Sequence, residues 1–246
     1  MVHISLKAEE IFRLGGLSIT NTLLLSVTAA VIIAIIAFLS RRSIAILPGG
    51  LQNVIEFVVE SLLQLMDSVL GERRKSEKYL PIVATIFIFI LFSNWLGLMP
   101  GIGSIGLVGD KEFIPLFRSP ASDLNFTLAL AIVTVLAANI FGVFAVGVRP
   151  HLSKFFNFKS PVGFFIGILE LISEFAKILS FSFRLFGNVF AGEVLLVITA
   201  FLIPYVIPLP FLFLELFVGF IQAFIFAMLS LVFISIATSE EEAHAP

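Results

Sequence analysis

The chain contains no cysteine, which excludes disulfides, thiol nucleophiles and cysteine-ligated metal sites. Charge is scarce too. Only 13% of the residues are Asp, Glu, Lys or Arg, against 59% that are hydrophobic, and a mean hydropathy of +1.11 lies outside the range of water-soluble domains. The solvent for most of the chain is therefore lipid. One Trp and two Tyr stand beside 29 Phe, as expected where rings face acyl chains without a hydrogen-bonding handle. Histidine is limited to His3, His151 and His244, all in loops or tails where solvation is the expectation. No metal cluster, nucleophile motif or phosphate-binding glycine loop is present to indicate an enzyme or a cofactor. Nothing indicates a nucleic-acid partner. The first twenty residues mix Lys7 and Arg13 with Glu9 and Glu10, and the first apolar run ends at Ser40-Arg41-Arg42 without a small-residue cleavage site. The run therefore reads as a retained span, not a signal peptide.

What is present is a series of long apolar runs. A helix needs about 20 apolar residues to cross a hydrocarbon core of about 30 Å, and five segments qualify: residues 21–39, 81–99, 124–147, 161–203 and 210–238. Prolines at several of their ends fit, because there the missing N–H costs least. The expected fold is an all-α membrane protein of one domain, 1–246. It comprises a short segment 1–20, five membrane-embedded helices, and a long tilted C-terminal helical hairpin over 161–238. As a helix, residues 161–203 would be about 64 Å long, twice what a perpendicular span needs, which requires strong tilt. Residues 50–70 form a helix that should not cross. Asn53, Glu56, Glu60, Gln64 and Asp67 make one polar stripe opposite Leu51, Ile55, Val58, Leu62, Leu65 and Val69, as in a helix lying on the membrane surface or docked on a partner.

Basic residues choose the orientation. Arg41, Arg42, Arg73, Arg74, Lys75, Lys78, Arg149, Lys154 and Lys159 fall on one side. Lys7, Arg13, Lys111 and Arg118 fall on the other. The N-terminus is thus expected outside, and the acidic tail Ser239 to Glu242 inside. A retained multi-pass chain without a transit peptide fits a bacterial plasma membrane better than an organelle inner membrane.

The charges left inside the spans are the functional candidates, since each costs roughly 2.5 to 3.5 kcal/mol at mid-bilayer. At about 100° per residue, Glu170, Glu174, Lys177, Phe181, Arg184 and Asn188 share one stripe of the fourth span. Glu193 faces nearly opposite to Arg184 and about 13 Å further along the axis. Glu170, Glu174 and Lys177 lie near enough to Pro161 to be either headgroup-level residues that pair and snorkel, or part of a path. Arg184 has no acid of its own helix within reach, and a guanidinium stays charged at any accessible pH. Its partner should lie on another helix or another chain. An antiparallel hairpin bent between Pro204-Tyr205 and Pro210 sets Arg184 opposite Gln222 and Glu193 opposite Glu215. Gly219, Ala223 and Ala227 on the fifth span form a small-residue stripe for close helix packing.

The stretch Ser180-Phe-Ser-Phe-Arg184-Leu-Phe-Gly-Asn188-Val-Phe-Ala-Gly-Glu193 closely resembles the signature of subunit a of the rotary F-type ATP synthase. So do Pro120-Ala-Ser-Asp-Leu-Asn125-Phe-Thr, Gln222-Ala-Phe-Ile-Phe, and Asn94 with Leu98-Met-Pro100. The resemblance covers most of the chain from about residue 80 onward. It implies a non-catalytic stator beside a ring of c subunits, held by the b subunits of the peripheral stalk. In that family the residue at Arg184 meets the ring carboxylate and separates two offset half-channels. Glu193 and Glu215 would line the outer one, Glu170 and Glu174 would sit where the inner one opens, with Lys177 among the ion-translocating residues, and Asn188 and Gln222 would position the arginine and water. The sequence departs from relatives at Glu215, where a His is common, and at Gly97, where some have Asp. The ion, H+ or Na+, is expected to be chosen by the c-ring site. The competing class is a proton-coupled secondary transporter, but such folds usually carry two matched halves with broken helices, and five unequal spans show no such symmetry.

Overall fold

The computed structural model describes residues 8–14, 16–42, 49–99, 101–108, 113–155, 160–204 and 206–239. His3, Lys7, Pro100, Lys111, Lys159, Tyr205, His244 and the acidic residues Glu240 to Glu242 lie outside the described residues. An antiparallel hairpin of β1 (Glu10–Leu14) and β2 (Leu17–Thr20) leads directly into α1 (Asn21–Arg42). There follow α2 (Gly50–Leu70), α3 (Arg73–Gly97), a second small hairpin of β3 (Gly106–Val108) and β4 (Phe113–Pro115), and α4 (Leu124–Val146). The chain continues through α5 (Val148–Ser153), α6 (Pro161–Leu202) and α7 (Pro208–Ser239). Five of these helices, α1, α3, α4, α6 and α7, are long and apolar enough to cross a membrane, and the protein is an all-α, multi-pass membrane protein. The two hairpins in the connecting loops were not anticipated from the sequence, because their strands are too short to show an alternating pattern.

Local chemistry sets the helix ends. Ser160 accepts a hydrogen bond from the amide of Gly163 at 3.0 Å, with Pro161 at the first helical position where its missing N–H is harmless. Asp123 caps α4 by accepting from the amide of Asn125 at 2.9 Å. Gly147, at φ 94°, supplies the left-handed residue that turns α4 into α5. Pro81 begins no helix: α3 starts two turns earlier at Arg73 and carries the proline inside it. The hydrogen bond that Pro81 cannot donate would have gone to Glu77, which is exposed, so water meets that carbonyl at little cost.

The core forms where α3, α4, α6 and α7 converge. Val83, Phe87 and Ile90 meet Ala131, Val135 and Ala138, together with Phe181, Leu185, Phe226, Leu231 and Ile234. The Phe181 ring lies 4.5 Å from that of Phe226 and 5.5 Å from that of Phe233, centroid to centroid. The small-residue stripe serves as expected: Ala223 and Ala227 are fully buried, and a Cβ on Gly219 would stand 3.2 Å from the Cβ of Asn94 on α3. Outside the core the surface is apolar. The 42 residues of α6 make a rod about 63 Å long, and one whole flank of it, including Phe165, Ile172, Phe175, Leu179 and Phe183, is exposed.

Amphipathic α2 packs on α3 through Leu62, Leu63 and Met66. This face is rotated from the expected one: Leu65 and Val69 remain partly exposed, because α2 meets α3 and α7 through the side that carries Leu62 and Met66. Arg73 ties the two helices together, reaching Glu60 at 2.9 Å, Asp67 at 3.0 Å and Glu77 at 3.3 Å. Its hydrogen bond holds the Glu60 carboxyl below the usual carboxylate range. Asp67 is lowered as well, by Ser76 first and then by Arg73. A carboxylate whose pKa is depressed by folding stabilises the fold above its unfolded pKa of about 4, and that contribution is lost as pH falls through the lower folded value. Mobility of a spin label on exposed Ser68 is therefore expected to rise only below about pH 4. Arg73→Gln should give high mobility already at neutral pH, and a label equally immobile in both proteins at every pH would rule out the clamp.

Candidate functional site

Two of the sequence-predicted acids line one cavity. A space of about 370 Å³ opens at the C-terminal end of α3, bounded by Asn94 and Gly97, by Val189, Glu193 and Val197 of α6, and by Glu215 and Gly219 of α7. Glu215 is 7% exposed, and its carboxylate lies on the α6 backbone: a Cβ built on Gly192 would stand 1.9 Å from Oε2. Only glycine leaves that room. Glu193 lines the same cavity, but its partner is Arg118, whose Nε donates to Oε1 at 3.0 Å. The arginine side chain is 10% exposed and the glutamate 33%.

The cavity is polar in a way that favours water. Glu9 Oε2, Asn94 Oδ1 and Ser119 Oγ are buried without a protein partner among the described residues, and all three residues line it. Buried polar atoms normally find partners, and the volume is many times the ~15 Å³ that a single water requires. Asn94 also donates from Nδ2 to the carbonyl of Gly219 at 3.1 Å, which holds α3 and α7 together at the cavity wall.

A second polar group lies towards the other end of α6. Glu174 accepts from Lys177 Nζ at 2.6 Å and from Asn139 Nδ2 on α4 at 3.2 Å. The Asn139 Oδ1 is in turn 3.0 Å from His151 Nε2. Lys177 also sits over the Phe233 ring at 5.0 Å. Glu170, Lys154 and these residues border a small space of about 50 Å³. His151 corrects the expectation of a solvated loop histidine: it stands on α5 and is only 4% exposed. Gly142 makes this possible, since a Cβ there would lie 2.8 Å from the imidazole Cε1.

Arg184 lies between the two groups and belongs to neither. It is exposed and borders an open groove of about 260 Å³ with Lys177, Ser180 and Phe233. Its Nη2 is 3.4 Å from Ser180 Oγ, and among the described residues no carboxylate pairs with it. Asn188, one turn on, is also exposed. Gln222 is buried on α7 and does not hydrogen-bond Arg184. The arginine turns out to the open flank, while the amide turns into the bundle.

The structure thus sets Glu193 and Glu215 on one cavity, and Glu170, Glu174 and Lys177 on another, while leaving Arg184 and Asn188 on the open flank. It adds Arg118, Glu9, Asn139 and His151, which the sequence reading had not placed in any site. Arg118 carried one available signal, its position two residues before the Pro120-Ala-Ser-Asp-Leu-Asn125-Phe-Thr motif.

Residues 22–235 match the model of the family described as ATP synthase A chain. The ATP synthase subunit a of Campylobacter jejuni strain RM1221 is 35% identical over 218 residues, which cover 87% of this chain and 88% of that protein. The subunit a of Moorella thermoacetica is 33% identical over 235 residues, 96% of this chain and 97% of its own length. The protein named ATP synthase subunit a 1 of Syntrophotalea carbinolica is 37% identical over 214 residues, 85% and 81% of the two chains.

Proposed function

Because the chain belongs to the ATP synthase A chain family, we propose that it is the ion-conducting stator of a rotary ATP synthase, passing protons or Na+ to and from the carboxylates of a c-subunit ring. It would itself be non-catalytic. The observation that carries this reading is Arg184: a permanent cation, exposed on the bare flank of a membrane helix, with only a serine hydroxyl in reach among the described residues. At roughly 2.5 to 3.5 kcal/mol for such a charge at mid-bilayer, it calls for an acid supplied from outside the chain. A ring of carboxylates rolling along the exposed flank of α6 supplies one acid after another.

The rest follows from charge and depth. The cavity of Glu193, Glu215 and Arg118 would form the outer half-channel, where the buried oxygens of Glu9, Asn94 and Ser119, without a partner among the described residues, favour water. The group of Glu170, Glu174 and Lys177, with Asn139 and His151, would form the inner one. A ring carboxylate protonated in one is neutral and can cross lipid, whereas an ionised one is held by Arg184. The guanidinium does not relay the proton itself, because it is already protonated and does not release its own. It acts as an electrostatic separator, and Asn188 and Gln222 would order water around it. The membrane potential supplies about 2.3 kcal/mol per charge per 100 mV. The N-terminus would face outward across a bacterial plasma membrane, with the b subunits of the peripheral stalk holding the chain against the rotor and α2 on the inner surface.

The absence of native cysteine makes a direct test clean. Gly187 is exposed on the Arg184 flank, with nothing within 4 Å of a Cβ placed there. In the assembled complex, Gly187→Cys is expected to form a disulfide with a cysteine set one helical turn from the ring carboxylate. A cross-link to no ring position would leave the arginine facing something else and favour a self-contained transporter.

A further inference from the structure

We propose that Glu9, on the N-terminal hairpin, is the ion-collecting carboxylate at the mouth of the cavity, handing protons through water to Glu215; this rests on that cavity being the outer half-channel. Three observations place Glu9 there. First, its backbone is clamped. Asn21, fully buried at the start of α1, donates its amide to the Glu9 carbonyl at 3.1 Å and accepts from the Glu9 amide on Oδ1 at 3.3 Å. Its Nδ2 reaches the carbonyl of Pro115 at 3.4 Å. The hairpin is thereby pinned to the loop that leads to Arg118. Second, the Glu9 side chain is half-buried, lines the cavity, and has one carboxylate oxygen buried without a protein partner among the described residues. Third, the cavity also contains Asn94, 2% exposed, whose Oδ1 is buried without a partner among the described residues, so a water path has polar atoms on its wall beyond the acids.

Among the described residues, the other charged groups near this end of the bundle are already committed. Arg118 pairs with Glu193. On the hairpin itself, Glu10 pairs with Arg13 at the surface. Asp123 accepts from Thr22 Oγ1 at 3.0 Å and from the amide and side chain of Asn125. Glu215 lies deep against Gly192. Glu9 is half-buried and lines the cavity, and among the described residues no cation pairs with it. Such a group raises the local concentration of cations and protons at an entrance and speeds their capture. Its effect should therefore be large when protons are scarce and vanish when they are plentiful.

The test uses the assembled complex in vesicles, driven by a fixed potassium diffusion potential, with the pH on the cavity side varied and the other side held constant. Glu9→Gln is expected to lower ATP synthesis severalfold near pH 8.5, where protons are scarce, and to match the parent near pH 6. Glu9→Asp should follow the parent throughout. A Glu9→Gln profile identical to the parent at every pH overturns the proposal, as does a pH-independent loss shared by Glu9→Asp, which marks a structural role. If the glutamine variant does not assemble, Glu9→Cys modified with a carboxyethyl thiosulfonate should regain the high-pH rate, and failure to do so counts equally against it. Glu215→Gln separates the two levels of argument. If it abolishes synthesis while Glu9→Gln is silent, only the role of Glu9 fails; if both are silent, the cavity is not the ion path.

Discussion

Arg184→Ala is expected to abolish ion-driven ATP synthesis and to raise passive ion leak through the assembled membrane sector by roughly a hundredfold. The leak follows from charge. A fixed cation about 5 Å from a proton path, at an effective dielectric constant of about 20, opposes an uncompensated proton by about 3 kcal/mol, which is roughly a hundredfold in rate. The guanidinium is the single charge on its part of the α6 flank: the Lys177 ammonium is held by Glu174 at 2.6 Å, and Arg118 by Glu193 at 3.0 Å. Neither can move into its place. Arg184→Lys keeps a charge but loses the planar fork and is more strongly hydrated, so leak should stay low while synthesis falls. Vesicle assays of synthesis and of proton leak, on the same preparations, check both. Retained synthesis in Arg184→Ala would remove the arginine from the mechanism. Lost synthesis without leak would make it a structural residue of α6.

How much of this could be read in advance depends on the range of the interactions. The spans were legible because burial in lipid demands long apolar runs, and α2 was legible in full, Gly50–Leu70, because its polar residues repeat at helical spacing. Pro81 misled, since a proline penalised in a buried helix is tolerated where water can meet the freed carbonyl of Glu77. On the site, the stripe from Glu170 to Asn188 and the opposite placement of Glu193 needed only the helical repeat, and the presence of Glu193 and Glu215 on one cavity needed only the hairpin. The pairing of Arg118 with Glu193 spans 75 residues and depends on how the loop after β4 descends beside α6. No local spacing contains that. His151 was misread for a similar reason: what buries it is the space left by Gly142, and a lone glycine in an apolar span carries no such label. Gln222 failed to meet Arg184 because α6 packs on α4 as well as on α7, so its rotation is not set by the hairpin alone.

Gly192→Ala is expected to cut ion-driven synthesis about tenfold while leaving the protein as stable as before or slightly more so. The added methyl would stand 1.9 Å from Glu215 Oε2, 2.1 Å from Cδ and 2.2 Å from Oε1, so the whole carboxylate must swing away. The group that moves is the end of a flexible side chain, so the backbone need not shift. Turning a side chain off its preferred rotamer costs of order 0.5 to 1.5 kcal/mol, and a misplaced relay group at the upper end of that range accounts for about a tenfold loss. Helix propensity acts in the opposite direction, since alanine is favoured over glycine inside a helix by about 0.5 to 1 kcal/mol. Assembly and thermal stability should therefore not fall with activity, which separates a displaced carboxylate from a damaged fold. Glu215→Asp in the same chain draws the carboxylate back by one methylene and is expected to restore part of the rate, although the aspartate alone lowers it. Full activity in Gly192→Ala would mean that the Glu215 carboxylate works equally well turned off the α6 backbone. Equal loss in the single and double variants would mean that the contact at Gly192 matters for packing and that the position of the acid does not.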